Sequence, residues 1–204
     1  MVKLLIGIVS GTPYVPLDFV SSIMALDKPV PFGFEFTIGM VTDQARNKIV
    51  NSAIHNGCSH ILFLDSDMTF PKDIISRLLK HDVDIVGGLY VNRHSPTTVC
   101  AFKKVKGNVY KNISSEDFTG LVEIDGIGTG ALLIKTEIFD KLKKPYFRYG
   151  YDKELDKMIT EDMVFCKLAK EKGYKIYCDT DVRCGHLAMQ NLLIEGDMNG
   201  KQER

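Results

Sequence analysis

Two aspartates one residue apart, Asp65 and Asp67, close the apolar run Ile61-Leu62-Phe63-Leu64. Such a run followed by polar residues predicts a buried strand that delivers its C-terminal end to a loop, the end at which open α/β sheets bind ligands. Two carboxylates held this close repel each other unless a cation lies between them. Hard divalent ions that prefer oxygen, Mg²⁺ or Mn²⁺, suit such a pair and bring phosphate oxygens with them. Acids in a strand-to-helix loop also serve as turn formers and helix caps, so the triplet Asp65-Ser66-Asp67 alone leaves both readings open. Two further groups add to it. Thr160-Glu161-Asp162 reads as an N-cap followed by two acids in a first helical turn, where the helix dipole favours them; a carboxylate there could also act as a general base. His186, in the loop after the last strand candidate, is the third group, although a lone histidine is usually just a satisfied polar residue.

These residues need elements to position them. Residues 2–9 read as a buried first strand that ends in the small-residue loop Ser10-Gly11-Thr12-Pro13, and a helix is expected over 16–26. A strand over 34–41 leads to Thr42 or Asp43 as the cap of a helix. Its Ala45, Ile49, Val50, Ala53 and Ile54 recur at helical spacing, and Gly57 stops it. The strand over 60–64 carries the paired acids. A helix after Pro71 has Ile74, Ile75, Leu78 and Leu79 on one face, and 83–86 forms a fourth strand closed by Gly87-Gly88. The order β-α-β-α-β-α-β predicts a mostly parallel sheet. In the second half, short strands are expected over 97–102, 109–111, 121–124 and 131–134. A two-turn helix over 136–142, a charged and aromatic stretch over 145–159, a helix over 161–172 stopped by Gly173 and a last strand over 175–178 follow.

The chain has 204 residues, 45% hydrophobic and 25% charged, enough for one well-filled domain. Lys and Arg balance Asp and Glu at 26 each, so no net field draws it to nucleic acid or to an anionic membrane. No apolar run approaches the roughly 18 to 20 residues of a transmembrane helix, and the N-terminal segment lacks a cleavage site, which predicts a cytoplasmic protein. Five cysteines without a repeated spacing argue against a disulfide framework, and Cys178, Cys184 and His186 lack the fourth ligand of a structural zinc site. Gly126-Ile127-Gly128-Thr129-Gly130 is not a dinucleotide fingerprint, because a strand rather than a helix follows it.

The ordered set Asp43-Gln44-Ala45-Arg46-Asn47, Phe63-Leu64-Asp65-Ser66-Asp67, Gly128-Thr129-Gly130, Thr160-Glu161-Asp162 and His186 resembles the GT-A-fold glycosyltransferases, particularly the family 2-like, metal-dependent enzymes that use nucleotide sugars. The resemblance implies a Rossmann-like α/β domain over 1–196, with a mostly parallel central sheet flanked by helices and a small antiparallel element in its second half. It divides into a nucleotide-binding half over 1–95 and an acceptor or catalytic half over 96–196, with a polar tail at 197–204. It further implies a hexosyltransferase that moves one sugar from a UDP- or GDP-linked donor to a glycan or other hydroxyl acceptor with the help of Mn²⁺ or Mg²⁺. Asp67 and His186 would then ligate the metal, with Asp65 in the metal shell or at the ribose beside Ser66. Ser10, Thr12 and Asp43 would line the nucleotide pocket, and Arg46 would contact the diphosphate. Asp162 would be the general base of an inverting displacement, with Glu161 second. Gly128, Thr129 and Gly130 would approach the donor sugar or acceptor, and Phe147, Arg148, Tyr149 and Tyr151 would form a lid that stacks on sugar.

The loop after the first strand lacks the family's Pro-Thr-Tyr-Asn-like run, and Val41-Thr42-Asp43 stands where the family has Asp-Asp. The nucleobase therefore stays open. Asp65-Ser66-Asp67-Met68-Thr69 also resembles the first motif of haloacid dehalogenase-like phosphatases, in which Asp65 would be the phosphoryl acceptor and Asp67 the acid/base. That motif ends the first strand of its family, whereas two strand candidates precede it here.

Overall fold

A computed structural model of the chain describes residues 2–93, 96–114 and 120–188. The polar tail at 197–204 and the last residues of the expected second half lie outside the described residues. Strand β1 (Leu4–Ser10) is buried on both faces between β2 (Phe32–Ile38) and β3 (His60–Asp65), to which it pairs in parallel. The helices α1 (Leu17–Met24) and α2 (Thr42–His55) make the two crossovers. After β3 come a two-residue strand β4 (Met68–Thr69), helix α3 (Ile74–Lys80) and β5 (Ile85–Leu89).

The second half contributes β6 (Ala101–Lys106), β7 (Val109–Asn112), β8 (Leu121–Ile124), β9 (Gly126–Ile127) and β10 (Ala131–Lys135). Thr136–Asp140 is a 3-10 turn rather than the expected two-turn α-helix. The stretch over 145–159 holds a hairpin that its weak periodicity did not reveal, β11 (Gly150–Asp152) and β12 (Lys157–Ile159). Helix α4 (Glu161–Glu171), β13 (Ile176–Arg183) and β14 (Gly185–His186) complete the described chain.

The central sheet has the order β2-β1-β3-β10-β5-β13-β8. Pairing is parallel except along β10, which runs antiparallel between β3 and β5, and at the antiparallel edge strand β8. The expected α/β class, a mostly parallel sheet flanked by helices with a small antiparallel element, is thus observed; that element is the sheet β7-β6-β9. Period-2 alternation sorts β3 between two cores. Ile61 and Phe63 pack with Ile49 and Val50 of α2 and Phe165 and Ala169 of α4. Leu62 and Leu64 pack with Phe19 of α1 and Ile74, Ile75 and Leu78 of α3. Because both faces are covered, strands 1, 3 and 5 read as continuous apolar runs. Their C-terminal ends, with the start of β10, form the edge where the acids emerge. No described helix is long and apolar enough to cross a membrane.

Candidate active site

The turn after β3 carries Asp67 into a two-residue ladder. In it β4 pairs antiparallel with β14, setting His186 opposite Met68, and the Leu187 amide donates to the Asp67 carbonyl at 2.8 Å. This ladder brings Nε2 of His186 to 3.6 Å from Oδ2 of Asp67. The other ring nitrogen, Nδ1, lies 2.7 Å from the Val91 carbonyl. A carbonyl only accepts, so Nδ1 carries a proton, and Nε2 is the ring nitrogen turned toward Asp67. Arg93 Nη1 stands 3.0 Å from the same Asp67 oxygen and balances its charge.

Asp65 points elsewhere. Both of its oxygens accept from Nη2 of Arg46 at 3.2 Å, and Nε of Arg46 donates to Glu161 Oε1 at 3.2 Å. Arg46 is only 3% exposed, and its guanidinium carbon lies 5.5 Å from the centre of the Phe63 ring. Burial works against its charge, but Asp65 and Glu161 on either side outweigh burial and hold the guanidinium above the ordinary arginine range. Arg46 therefore does not reach outward toward a diphosphate, as expected from sequence; it turns inward and ties the strand-end acid to the helix-start acid. Glu161, also buried, has its carboxyl pushed up by burial and by neighbouring Asp162, against the opposing pull of Arg46.

Asp162 follows on the first turn of α4. The Thr160 hydroxyl donates to its Oδ1, and so does the Met163 amide at 2.7 Å. Thr160 thus occupies the N-cap position without capping a backbone amide with its side chain. Burial raises the Asp162 pKa although these hydrogen bonds and Arg46 pull it down, and a carboxylate raised in this way is a stronger proton acceptor.

The loop Gly128-Thr129-Gly130 packs closely on Tyr90. A Cβ at Gly128 would stand 2.0 Å from the Tyr90 hydroxyl, and one at Gly130 would stand 2.4 Å from Met68 Sδ, so side chains are excluded at both positions by close packing. The Gly130 amide donates to the Tyr90 hydroxyl at 3.2 Å. Thr129 is 1% exposed, and its hydroxyl has no partner among the described residues.

The remaining candidates spread along the sheet edge. The Ser10 hydroxyl donates to the Thr12 carbonyl at 2.6 Å, and Thr12 Oγ1 donates to the Tyr14 carbonyl at 2.8 Å, so both hydroxyls shape the loop after β1. With Phe36 and Ile38 they line an apolar hollow of about 320 Å³. Asp43 Oδ1 accepts from the Gln44 amide at 2.8 Å, and the Ser66 amide donates to the Val9 carbonyl at 3.3 Å. Tyr151 is 54% exposed on β11, with its hydroxyl bonded to Asp156. Phe147 departs from the expected lid: it is fully buried, stacked 4.6 Å from Phe165 and edge-on to Phe63, while Asn47 accepts from its amide and donates to its carbonyl. Arg93, Tyr90 and the Val91 carbonyl were not singled out from sequence; the signal for Arg93 was an arginine soon after the end of a buried strand.

The Asp67 carboxylate and the His186 imidazole are two donors of a kind that could hold a Mn²⁺ or Mg²⁺ ion. Among the described residues no group of three His, Cys, Asp or Glu side chains is gathered for a metal, and Asp65 faces Arg46.

No family model matches the chain. It is 25% identical over 170 residues to the multifunctional procollagen lysine hydroxylase and glycosyltransferase of Caenorhabditis elegans, an alignment covering 78% of this chain. The chain spans 22% of that protein's length. Among solved structures it is similar to A197 from STIV, with a TM-score of 0.63 and 19% identity over 93% of this chain and 87% of that one. It is also similar to GalNAc-T7 with UDP, GalNAc and Mn²⁺, with a TM-score of 0.62 and 11% identity over 94% of this chain and 44% of that one. What these structures share with the chain is the fold, and the GT-A architecture expected from sequence is the one observed.

Proposed function

We propose that the chain is a metal-dependent glycosyltransferase that moves one sugar from a nucleoside-diphosphate sugar to an acceptor hydroxyl. The reading rests chiefly on the convergence, at one edge of a GT-A-like sheet, of the Asp67–His186 pair and the Glu161-Asp162 step, joined through Arg46 and Asp65. The likeness to a UDP- and Mn²⁺-bound GalNAc-T7 and to a relative named in part a glycosyltransferase supports it.

Asp67 and His186 would hold the cation, which would supply Lewis-acid stabilisation of the charge on a departing nucleoside diphosphate. Arg46 fixes Asp65 toward the donor's ribose. Asp162 takes the proton of the acceptor hydroxyl as its oxygen attacks the anomeric carbon, and the bond to the diphosphate breaks in the same displacement, inverting the centre. Residues 1–95 serve the nucleotide and 96–196 the acceptor. The similar proteins named above lend support to the transferase and none to a phosphatase.

The test is a thermal-shift screen of nucleoside diphosphates with and without Mn²⁺. UDP or GDP should raise the melting temperature only with the metal, by an amount that grows with ligand concentration. No stabilisation by any nucleoside diphosphate would refute the proposal.

A further inference from the structure

A second cavity, of about 230 Å³, opens between the β6–β7 hairpin, the β11–β12 hairpin and α4. Its volume falls below the roughly 300 to 1,000 Å³ of sites for drug-sized ligands, which suits a single sugar ring or a charged substituent. It borders the candidate base. Thr160 and Met163 form part of its wall, and both donate hydrogen bonds to the Asp162 carboxylate. Phe102 and Tyr110 supply aromatic faces against which a sugar ring can lie.

The wall is also positively charged. Lys157 and Lys167 line it, and among the described residues neither forms an ion pair. Both are exposed, so their ammonium groups are open to a ligand in the cavity. The one carboxylate in the wall, Asp152, is buried and accepts from the Glu154 and Leu155 amides at 2.9 and 3.1 Å, so it closes the hairpin turn. Two ammonium groups without an ion-pair partner among the described residues, beside aromatic side chains, match an anionic sugar better than a neutral one.

We propose that this cavity is an acceptor subsite that holds a sugar bearing a carboxylate or a phosphate, while the hydroxyl to be glycosylated reaches Asp162. The inference rests on the transferase reading for the word acceptor, and on the cavity alone for the preference for anions.

Met158 and Met163 line the cavity, so methyl-¹³C methionine NMR reads its occupancy directly. Glucuronate and glucose 6-phosphate, the carboxylate and phosphate probes, are titrated against glucose. At least one anionic sugar should shift the Met158 and Met163 methyl resonances where glucose does not, and the probe that does so identifies the anion. Lys157→Ala combined with Lys167→Ala should weaken that binding about tenfold, the scale of charge-assisted hydrogen bonds. In a competition with a nucleotide sugar present, the anionic sugar should be glycosylated in preference to glucose, and the double variant should lose the preference. Equal shifts with glucose, no shift with either anion, or unchanged binding by the double variant would overturn the anion site. Binding without preferential glycosylation, in protein that still hydrolyses the nucleotide sugar slowly, would overturn its role as an acceptor subsite. Absence of that hydrolysis, with methyl shifts intact, would instead count against the transferase reading.

Discussion

Replacing Arg46 with methionine removes one cation from between two carboxylates. The side chain of Glu161 is 8% exposed and that of Asp65 26% exposed, so Glu161 is left buried and unpaired while Asp65 recovers part of its hydration. Breaking a buried pair by deleting one partner costs roughly 3 to 5 kcal/mol, and the Glu161 half alone places Arg46→Met in that range. Methionine keeps apolar contact with Phe63, which limits any added packing loss. Urea unfolding at neutral pH should show the midpoint falling with an unchanged slope. Loss of the Arg46 charge lifts the folded-state pKa of Glu161 further above its unfolded value. The folded variant then binds more protons than the unfolded chain through the carboxylate range, so its deficit should shrink as pH falls toward 5. Adding Glu161→Gln, which removes the stranded charge, should recover a substantial part of the loss. A deficit below about 1 kcal/mol, or one equal at pH 5 and 7, would refute the view of Arg46 as the counter-ion of a buried acid.

Four other substitutions or titrations follow from the same geometry. Asp162→Asn should lower sugar transfer by roughly 10²- to 10⁴-fold while the nucleoside diphosphate that stabilises the wild type with Mn²⁺ still does so; undiminished transfer would reject Asp162 as the base. Because burial raises its pKa and the base must be ionised, wild-type kcat/KM should fall with decreasing pH along a limb above the usual carboxylate range, and a limb at roughly 4 would contradict this. Gly128→Ala places a methyl 2.0 Å from the Tyr90 hydroxyl and should destabilise by about 1 to 3 kcal/mol, with partial recovery on adding Tyr90→Phe; an unchanged melting temperature would contradict the packing. Burial pushes the thiols of Cys166, Cys178 and Cys184 up to about 12 and that of Cys100 up to about 11, from 9.0. The unfolded chain therefore loses thiol protons first, and urea midpoints should fall as pH rises from 9, with the buried thiols of Cys166, Cys178 and Cys184 unreactive to Ellman's reagent until unfolding.

The parts of the fold legible in the sequence are those whose signal is local. The buried strands through Ile61-Leu62-Phe63-Leu64 and Ile85-Val86 show as apolar runs, and the glycines after α2 and α4, Gly57 and Gly173, adopt the left-handed conformations that their positions as helix stops require. Less accessible was whatever depends on distant pairing. The ladder of Met68-Thr69 with Gly185-His186 is two residues long, too short for any periodicity, yet it delivers His186 to Asp67. The insertion of β10 between β3 and β5 follows from the whole sheet and from no single segment. Charge direction was the other limit. Nothing in Ala45-Arg46-Asn47 distinguishes an arginine facing a ligand from one turned toward Glu161, 115 residues away. Phe147 likewise sits in a charged aromatic stretch but packs into the core, because Asn47 holds its backbone there.

The most direct measurement is release of UDP or GDP from a panel of nucleotide sugars, followed with Mn²⁺, with EDTA, and in Asp67→Asn and His186→Ala protein. At least one nucleotide sugar should be turned over with Mn²⁺, and turnover should be lost with EDTA and strongly reduced in both variants. No turnover of any nucleotide sugar, or turnover indifferent to EDTA and to the loss of Asp67 and His186, would contradict the account.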